Sequence, residues 1–376
     1  MEIREISYFK DFQCLAGSCK ETCCHGWMIP VTDEDYDRFL LDEGLLGKRL
    51  VLALKTASGD QRVLNYSCGT CRFHTRKGLC SVQLKKGHDF IPQVCRDYPR
   101  FYRNYRAFEE RLIDLSCEEG ARLLIDTDAL SFTVYEGEAD SLPCCTNDDL
   151  GFLEALCRTR GSVIDALWSV SSYEELSNEL NRLLTYLRIC EQRFVAGETD
   201  FLSTNPYDTF QYNGPVTKEL FPFDAETYDQ LLSREFKGLP LWRTNPTLSR
   251  LCKLYFRSYQ KKLTHPQAWE QIYVRFAENF PEEYSFFVTY YSYYLYGYFL
   301  RSFEDYSFYK NAALGVLHLN MILLFSVLSA DNGGELTKEQ KASILSSYTK
   351  KAFYNEELQG GMYELFTSRF SDPLSL

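Results

Sequence analysis

The sequence predicts a mainly α-helical protein in which an irregular, cysteine-rich, metal-binding N-terminal lobe packs on a C-terminal α-helical bundle. Three observations lead there. Thiols crowd the first 95 residues, helical periodicity takes over from Glu118, and residues 131–147, rich in Gly, Pro, Ser and Asn, separate the two patterns. The chain is accordingly divided into a cysteine-rich lobe over 1–145 and a helical domain over 146–376.

Composition supports two folded parts. At 376 residues, 45% hydrophobic and 15% aromatic, the chain can bury a substantial core. Residues 1–12 alternate in charge and contain no apolar run, so no secretory signal is expected there and the cytoplasm is the expected compartment. In a reducing compartment fourteen cysteines argue for metal ligation rather than a disulfide scaffold. The net charge of −11 disfavours nonspecific binding to nucleic acid. Lysines and arginines balance carboxylates 18 to 18 over residues 1–120, against 23 to 34 over 121–376. Within 68–111 ten cations face four carboxylates, and such neighbours favour thiolate and offset the charge of a cysteinyl cluster; the alternative is a solvated basic face.

Taken in order, Cys14, Cys19, Cys23 and Cys24 fall within eleven residues and are followed by Trp27–Val31, an extended exit. Thr32 is placed to cap a helix over about 33–43 whose first turn is acidic. Residues 56–70 read as a polar loop or hairpin carrying Cys68 and Cys71 back towards the first thiols. Cys80 follows a Gly-containing turn, and Cys95 precedes a Tyr-Pro-Arg that ends any helix. Turns that each deliver a thiol suit a closed metal site, and thiolate, a soft ligand, suits iron–sulfur clusters and zinc, with iron–sulfur favoured. These turns look too polar for a core of their own. Histidines 25, 74 and 88 lie beside them as further ligand or proton-transfer candidates.

Helices are expected near 118–126, 148–158, 172–195, 225–235, 247–262, 266–279, 281–302, 306–330, 337–350 and 355–367. The apolar segment 312–330 approaches membrane-spanning length, but Gly315, His318 and Asn320 mark it as a buried central helix, which leaves peripheral membrane association open. The aromatic run 284–299 covers every face of its helix and is assigned to the core, with a cation-binding cage as the functional alternative. There is no phosphate-binding glycine loop and no Ser/His/Asp or HExxH arrangement.

Phe12-x-Cys14-x4-Cys19-x3-Cys23-Cys24-x-Gly26-Trp27, Gly78-Leu79-Cys80, Cys95-x2-Tyr98-Pro99-Arg100 and Ser116-Cys117-Glu118-Glu119-Gly120-Ala121-Arg122-Leu123 resemble the flagellin lysine-N-methylase family. That family belongs to a wider group of zinc- or iron-chelating proteins named for a CxxCxxCC motif. The likeness covers about the first 125 residues and continues loosely into Arg275–Phe280.

What the resemblance implies is methyl transfer from S-adenosylmethionine to lysine ε-amines of flagellin, or of another protein substrate, in the cytoplasm. It further implies a [4Fe–4S] cluster, with zinc as the alternative. Its ligand candidates are Cys14, Cys19, Cys23, Cys24, Cys71, Cys80 and Cys95, with Cys117 at the margin of the set. The chain departs from the family at Cys71-Arg72-Phe73, where relatives have Cys-Pro-Phe, and Cys68 is an extra thiol. The radical signature CxxxCxxC is absent. A chelating or adaptor protein without catalysis is the competing reading, because cysteine-rich turns satisfy zinc equally well. Donor and lysine are expected to meet where the cysteine lobe joins the helices, with basic residues of 68–111 on the donor carboxylate and tyrosines of 284–298 on the cation.

Overall fold

The structure, a computed structural model, describes residues 1–57, 61–64, 66–67, 69–127, 129–199, 207–211, 220–239, 241–242, 244–263, 265–333 and 335–370. The fold is mainly helical, as expected, and the helical region is C-terminal. At its centre lies Phe308–Asp331, apolar enough to cross a membrane by length and composition, but with 94% of its most apolar window buried inside the protein. Its polar residues are satisfied internally. Asn320 Nδ2 donates to the carbonyls of Leu220 and Val316, its Oδ1 accepts from the Phe223 backbone and Tyr228 Oη, and His318 Nδ1 lies 2.8 Å from Tyr348 Oη.

The aromatic helix Tyr284–Tyr298 crosses this central helix at Gly315. A Cβ there would stand 2.4 Å from the Tyr294 ring and 2.6 Å from Tyr291, so only glycine permits so close a crossing. The run belongs to the core, as assigned, and does not form the alternative cation cage: Tyr290, Tyr291 and Tyr293 are wholly buried. Tyr291 and Tyr293 donate to the carbonyls of Ala312 and Ile113.

The expected linker over 131–147 contains a strand, Phe132–Glu136. It is the edge of a four-stranded sheet ordered Arg100–Asn104, Phe108–Ile113, Glu2–Ile6, Phe132–Glu136. Glu2–Ile6 runs parallel to Phe108–Ile113, with Ile3 opposite Glu109, and antiparallel to Phe132–Glu136, with Ile3 opposite Tyr135. All six residues of Phe108–Ile113 are buried, two of them glutamates. Arg160, from the helix Leu150–Trp168, reaches across to pair with Glu110, with both side chains almost fully buried. The sheet and the helices share one hydrophobic core, which runs from Ile6 and Phe108 through Leu317 to Phe370.

The cysteine segment holds a second, smaller cluster of its own. Ile29, Val31, Phe39, Leu46, Leu50, Leu64, Phe73, Val82 and Ile91 pack together with Cys71, and Cys24, Cys80 and Cys95 lie against them. These turns were expected to be too polar for this. The apolar residues are scattered over short elements and the turns between them and form no run that reads as a core face. The Thr32 cap is as expected: its hydroxyl accepts from Asp35 N, and the Asp35 carboxylate accepts from Thr32 N in return, starting the helix Asp33–Leu41. Asp35 also receives Gln93 N at 2.9 Å and pairs with Arg38, tying the first helix to the turn before Cys95.

Candidate functional site

Short backbone pairings bring the expected thiols together. Cys71 N donates to Cys24 O at 2.9 Å, His74 bridges to Cys80, and the short helix Gln93–Asp97 presents Cys95. Cys71 is the most buried of the candidates and Cys95 is half-buried. The Cys95 thiol is held well above the ordinary range by burial first and then by the neighbouring Cys23, Cys71 and Cys80. Cys71 is raised for the same reasons, and Cys19 is pushed up to about 12 by burial and by Cys14. Cys24 donates a hydrogen bond to Cys23, which pulls Cys23 down to about 7 and pushes Cys24 up. Cys14, Cys19, Cys23, Cys24, Cys71, Cys80 and Cys95 thus influence one another as one connected set. Cys68 lies outside the described residues.

The donor chemistry of this set suits a soft metal or an iron–sulfur group. Among the described residues, however, no three His, Cys, Asp or Glu side chains are close enough together to hold a metal ion. His25 and His74 meet edge to face at 5.1 Å between ring centroids beside the thiols, whereas His88 is exposed next to Asp89. Burial leaves His25 and His74 below the usual imidazole range, the former at about 4, and so neutral.

The cation facing the thiols comes from a distant part of the chain. Lys350, near the end of the helix Lys338–Ala352, donates to Thr22 O at 2.5 Å; burial lowers its ammonium, while Glu21, Cys23 and Cys24 oppose that shift. Several cations of 68–111 are engaged elsewhere: Lys86 with Asp42, Arg96 with Asp35 and the Ile91 carbonyl, and Arg111 with Glu109. Nothing in the sequence near position 350 marks it, since the pairing needs the last helices to pack on Glu118–Ile125 beside the cysteine turns.

Between the cysteine turns and the C-terminal helices opens a cleft of about 1130 Å³. Cys23, Trp27, Tyr98, Arg100, Asp114 and Lys350 are among its lining residues. Gly69 is one wall. Its φ of +78° and the 2.3 Å that a Cβ would leave to Thr244 both require glycine. Trp27, whose indole donates to Cys23 O at 2.6 Å, leans on Tyr98 with ring centroids 6.2 Å apart. Tyr98 Oη lies 3.1 Å from Ser116 Oγ, and Ser116 N donates to Asp114 Oδ1 at 2.7 Å. Asp114 is 3% exposed, and burial raises its carboxyl above the usual range. The chain of Tyr98, Ser116 and Asp114 escaped sequence reasoning, although Tyr98 and Ser116 stand inside the motifs quoted above. The tyrosines of 284–298 lie in the core away from this cleft, and Arg100 represents the basic stretch in its lining.

No protein-family profile matches this chain, and no solved structure matches it. It is 24% identical over 138 residues, 35% of its length, to the lysine-N-methylases of Salmonella choleraesuis and Salmonella typhimurium. It is also 24% identical over 136 residues to the flagellar biosynthetic protein FliU of Salmonella muenchen, of which the match covers 80%. The chain spans about a third of the length of the lysine-N-methylases it matches, so these similarities mark a distant relationship.

Proposed function

We propose that this protein is a cytoplasmic lysine N-methyltransferase that takes its methyl group from S-adenosylmethionine and acts on flagellin. We further propose that an iron–sulfur cluster is held among Cys14, Cys19, Cys23, Cys24, Cys71, Cys80 and Cys95. The observation that carries the reading is the cleft, where the thiol turns, an aromatic pair and a buried carboxylate meet. The names of the distant relatives agree with it.

Transfer requires a neutral ε-amine. As the nitrogen–methyl bond forms, the sulfur–methyl bond breaks, the sulfonium becomes a thioether, and the amine sheds a proton. Asp114, raised by burial and oriented by Ser116, is the carboxylate assigned to take that proton, because a base works best when its pKa approaches the working pH. Trp27 and Tyr98 offer ring faces to a sulfonium or ammonium, an interaction of about 0.5–2 kcal/mol. Lys350 and Arg100 supply positive charge for the donor's carboxylate. When bound, a cysteinyl cluster supplies an iron site able to take a donor ligand or an electron.

The test is anaerobic incubation of reconstituted protein with labelled S-adenosylmethionine and flagellin from the same cell, read as a mass gain of one methyl on lysine. Asp114→Asn should lower kcat about 10²–10⁴-fold while donor binding persists. Cys19→Ser and Cys80→Ser should lose iron, whereas Cys190→Ser and Cys252→Ser, buried in helices, should keep it. The packing of Cys24, Cys80 and Cys95 against the small apolar cluster favours one competitor, a zinc-stabilised adaptor. Stoichiometric zinc with no donor binding would establish that reading instead.

A further inference from the structure

The helix Pro246–Leu254 and the turn of π-helix after it, Tyr255–Tyr259, bury Leu248, Leu251, Cys252 and Tyr255 in the core. Their opposite face carries Arg250, Lys253 and Arg257 at intervals of three and four, so the three cations project side by side over roughly 10 Å. With Trp242, which is 57% exposed, they line a groove of about 460 Å³ whose lining contains no carboxylate. None of the three cations has a carboxylate partner among the described residues. Other exposed cations of the protein do find carboxylates, as Arg122 does with Glu119 and Asp126, and Arg234 with Glu364.

The chain itself explains the vacancy of charge. From Phe236 to Trp269 there are seven lysines and arginines and not one aspartate or glutamate, in a protein of net charge −11. The groove also adjoins the cleft: Trp242 and Pro246 line the groove, and Thr244 between them lines the cleft and touches Gly69.

We propose that this groove is the docking site for an acidic segment of the polypeptide substrate, whose carboxylates pair with Arg250, Lys253 and Arg257 while an apolar side chain rests on Trp242. The inference rests on the reading of the protein as an enzyme acting on another protein. An extended peptide advances about 3.3 Å per residue, so a run of three or four residues spans the cations. A substrate held there has its neighbouring residues led past Thr244 towards Trp27 and Tyr98. The patch is too short and isolated for nucleic acid, whose binding needs a broad basic field.

The experiment uses the full-length protein and two readouts. Binding of a fluorescein-labelled short Glu/Ser peptide is followed by anisotropy, independently of methyl transfer, for wild type, Trp242→Ala and the triple variant Arg250→Glu/Lys253→Glu/Arg257→Glu. All three substitutions in the triple variant lie on an exposed face, and circular dichroism verifies its fold. Wild type should bind with an affinity that falls as salt rises, the triple variant at least about tenfold more weakly, and Trp242→Ala in between. In the transfer assay the triple variant should raise KM for a folded protein substrate about tenfold, with kcat for a short neutral lysine peptide unchanged. Undiminished binding of the acidic peptide by the triple variant overturns the proposal. So does a loss confined to a single-stranded oligonucleotide, which would identify the groove as a nucleic-acid site. Absence of any methyl transfer, with acidic-peptide binding lost in the triple variant, overturns the enzymatic reading and leaves the groove standing.

Discussion

The protein has two interiors of different kinds. Around the central helix, Leu317, Leu319, Leu324 and Phe325 are wholly excluded from water, and the buried Asn320 amide has protein partners for both its donor and its acceptor. In the cysteine segment the apolar cluster is small, and three of its neighbours, Cys24, Cys80 and Cys95, are only half-buried. Small clusters bury a lower fraction of their surface, and burial is the main favourable term in folding. The helical part is thus stable through packing, whereas the cysteine segment depends on caps, buried hydrogen bonds and whatever its thiols bind.

This contrast is tested first where the sheet is locked to the helices. Arg160→Ala leaves the buried Glu110 with only Arg4, 3.9 Å away, and should cost about 3 kcal/mol in urea unfolding. A loss under 1 kcal/mol would show that the pair is not closed as described. The two interiors are compared directly by truncating one leucine in each. Leu324→Ala should cost about 3 kcal/mol and Leu50→Ala about 2 kcal/mol, because the smaller cluster can relax around the gap. Equal costs would erase the distinction. In the cysteine segment the polar anchor matters as much as the apolar one: Asp35→Asn weakens its pairing with Arg38 and its acceptance from Gln93 N, for about 1–3 kcal/mol.

Acid should act on the helical interior through His318. Burial holds its imidazole at about 3, below the ordinary 6.5, so between those values the unfolded chain binds a proton that the folded one refuses. Stability contributed by the neutral ring is complete above pH 6.5 and is lost as pH falls towards 3, by at most about 1.4 kcal/mol per pH unit. His318→Asn, which keeps a polar group near Tyr348, should flatten that slope in denaturant titrations at several pH values. The smallest effect is expected at the surface of the cysteine segment. Arg62→Ala removes an exposed pair with Asp33 and should change stability by no more than about 0.5 kcal/mol.

Much of the helical structure was legible. Thr32 caps the first helix, the segment 312–330 is a buried core helix, and His318 is a satisfied core residue, as local pattern implies. The strand Phe132–Glu136 was not legible. It lies at a sheet edge with two of its five residues half-buried and three exposed, and its partner Glu2–Ile6 is about 130 residues away, so its composition reads as a linker. The acid-free stretch before Glu270 is present in the sequence but is hidden by the carboxylate excess of 121–376 as a whole.

By itself the sequence determined the quantities that depend on near neighbours: which segments are helical, which helix is apolar on every face, and that thiols recur at turns early in the chain. Periodicity and capping act over three or four residues, so they are written locally. Tertiary structure alone decided what meets at the cleft. Lys350 reaches Thr22 across 328 positions, Thr244 presses on Gly69, and Asp114 is buried beneath Tyr98 and Ser116. Such contacts are set by how whole helices pack, and a carboxylate's burial, which sets its proton affinity, exists only once they have packed.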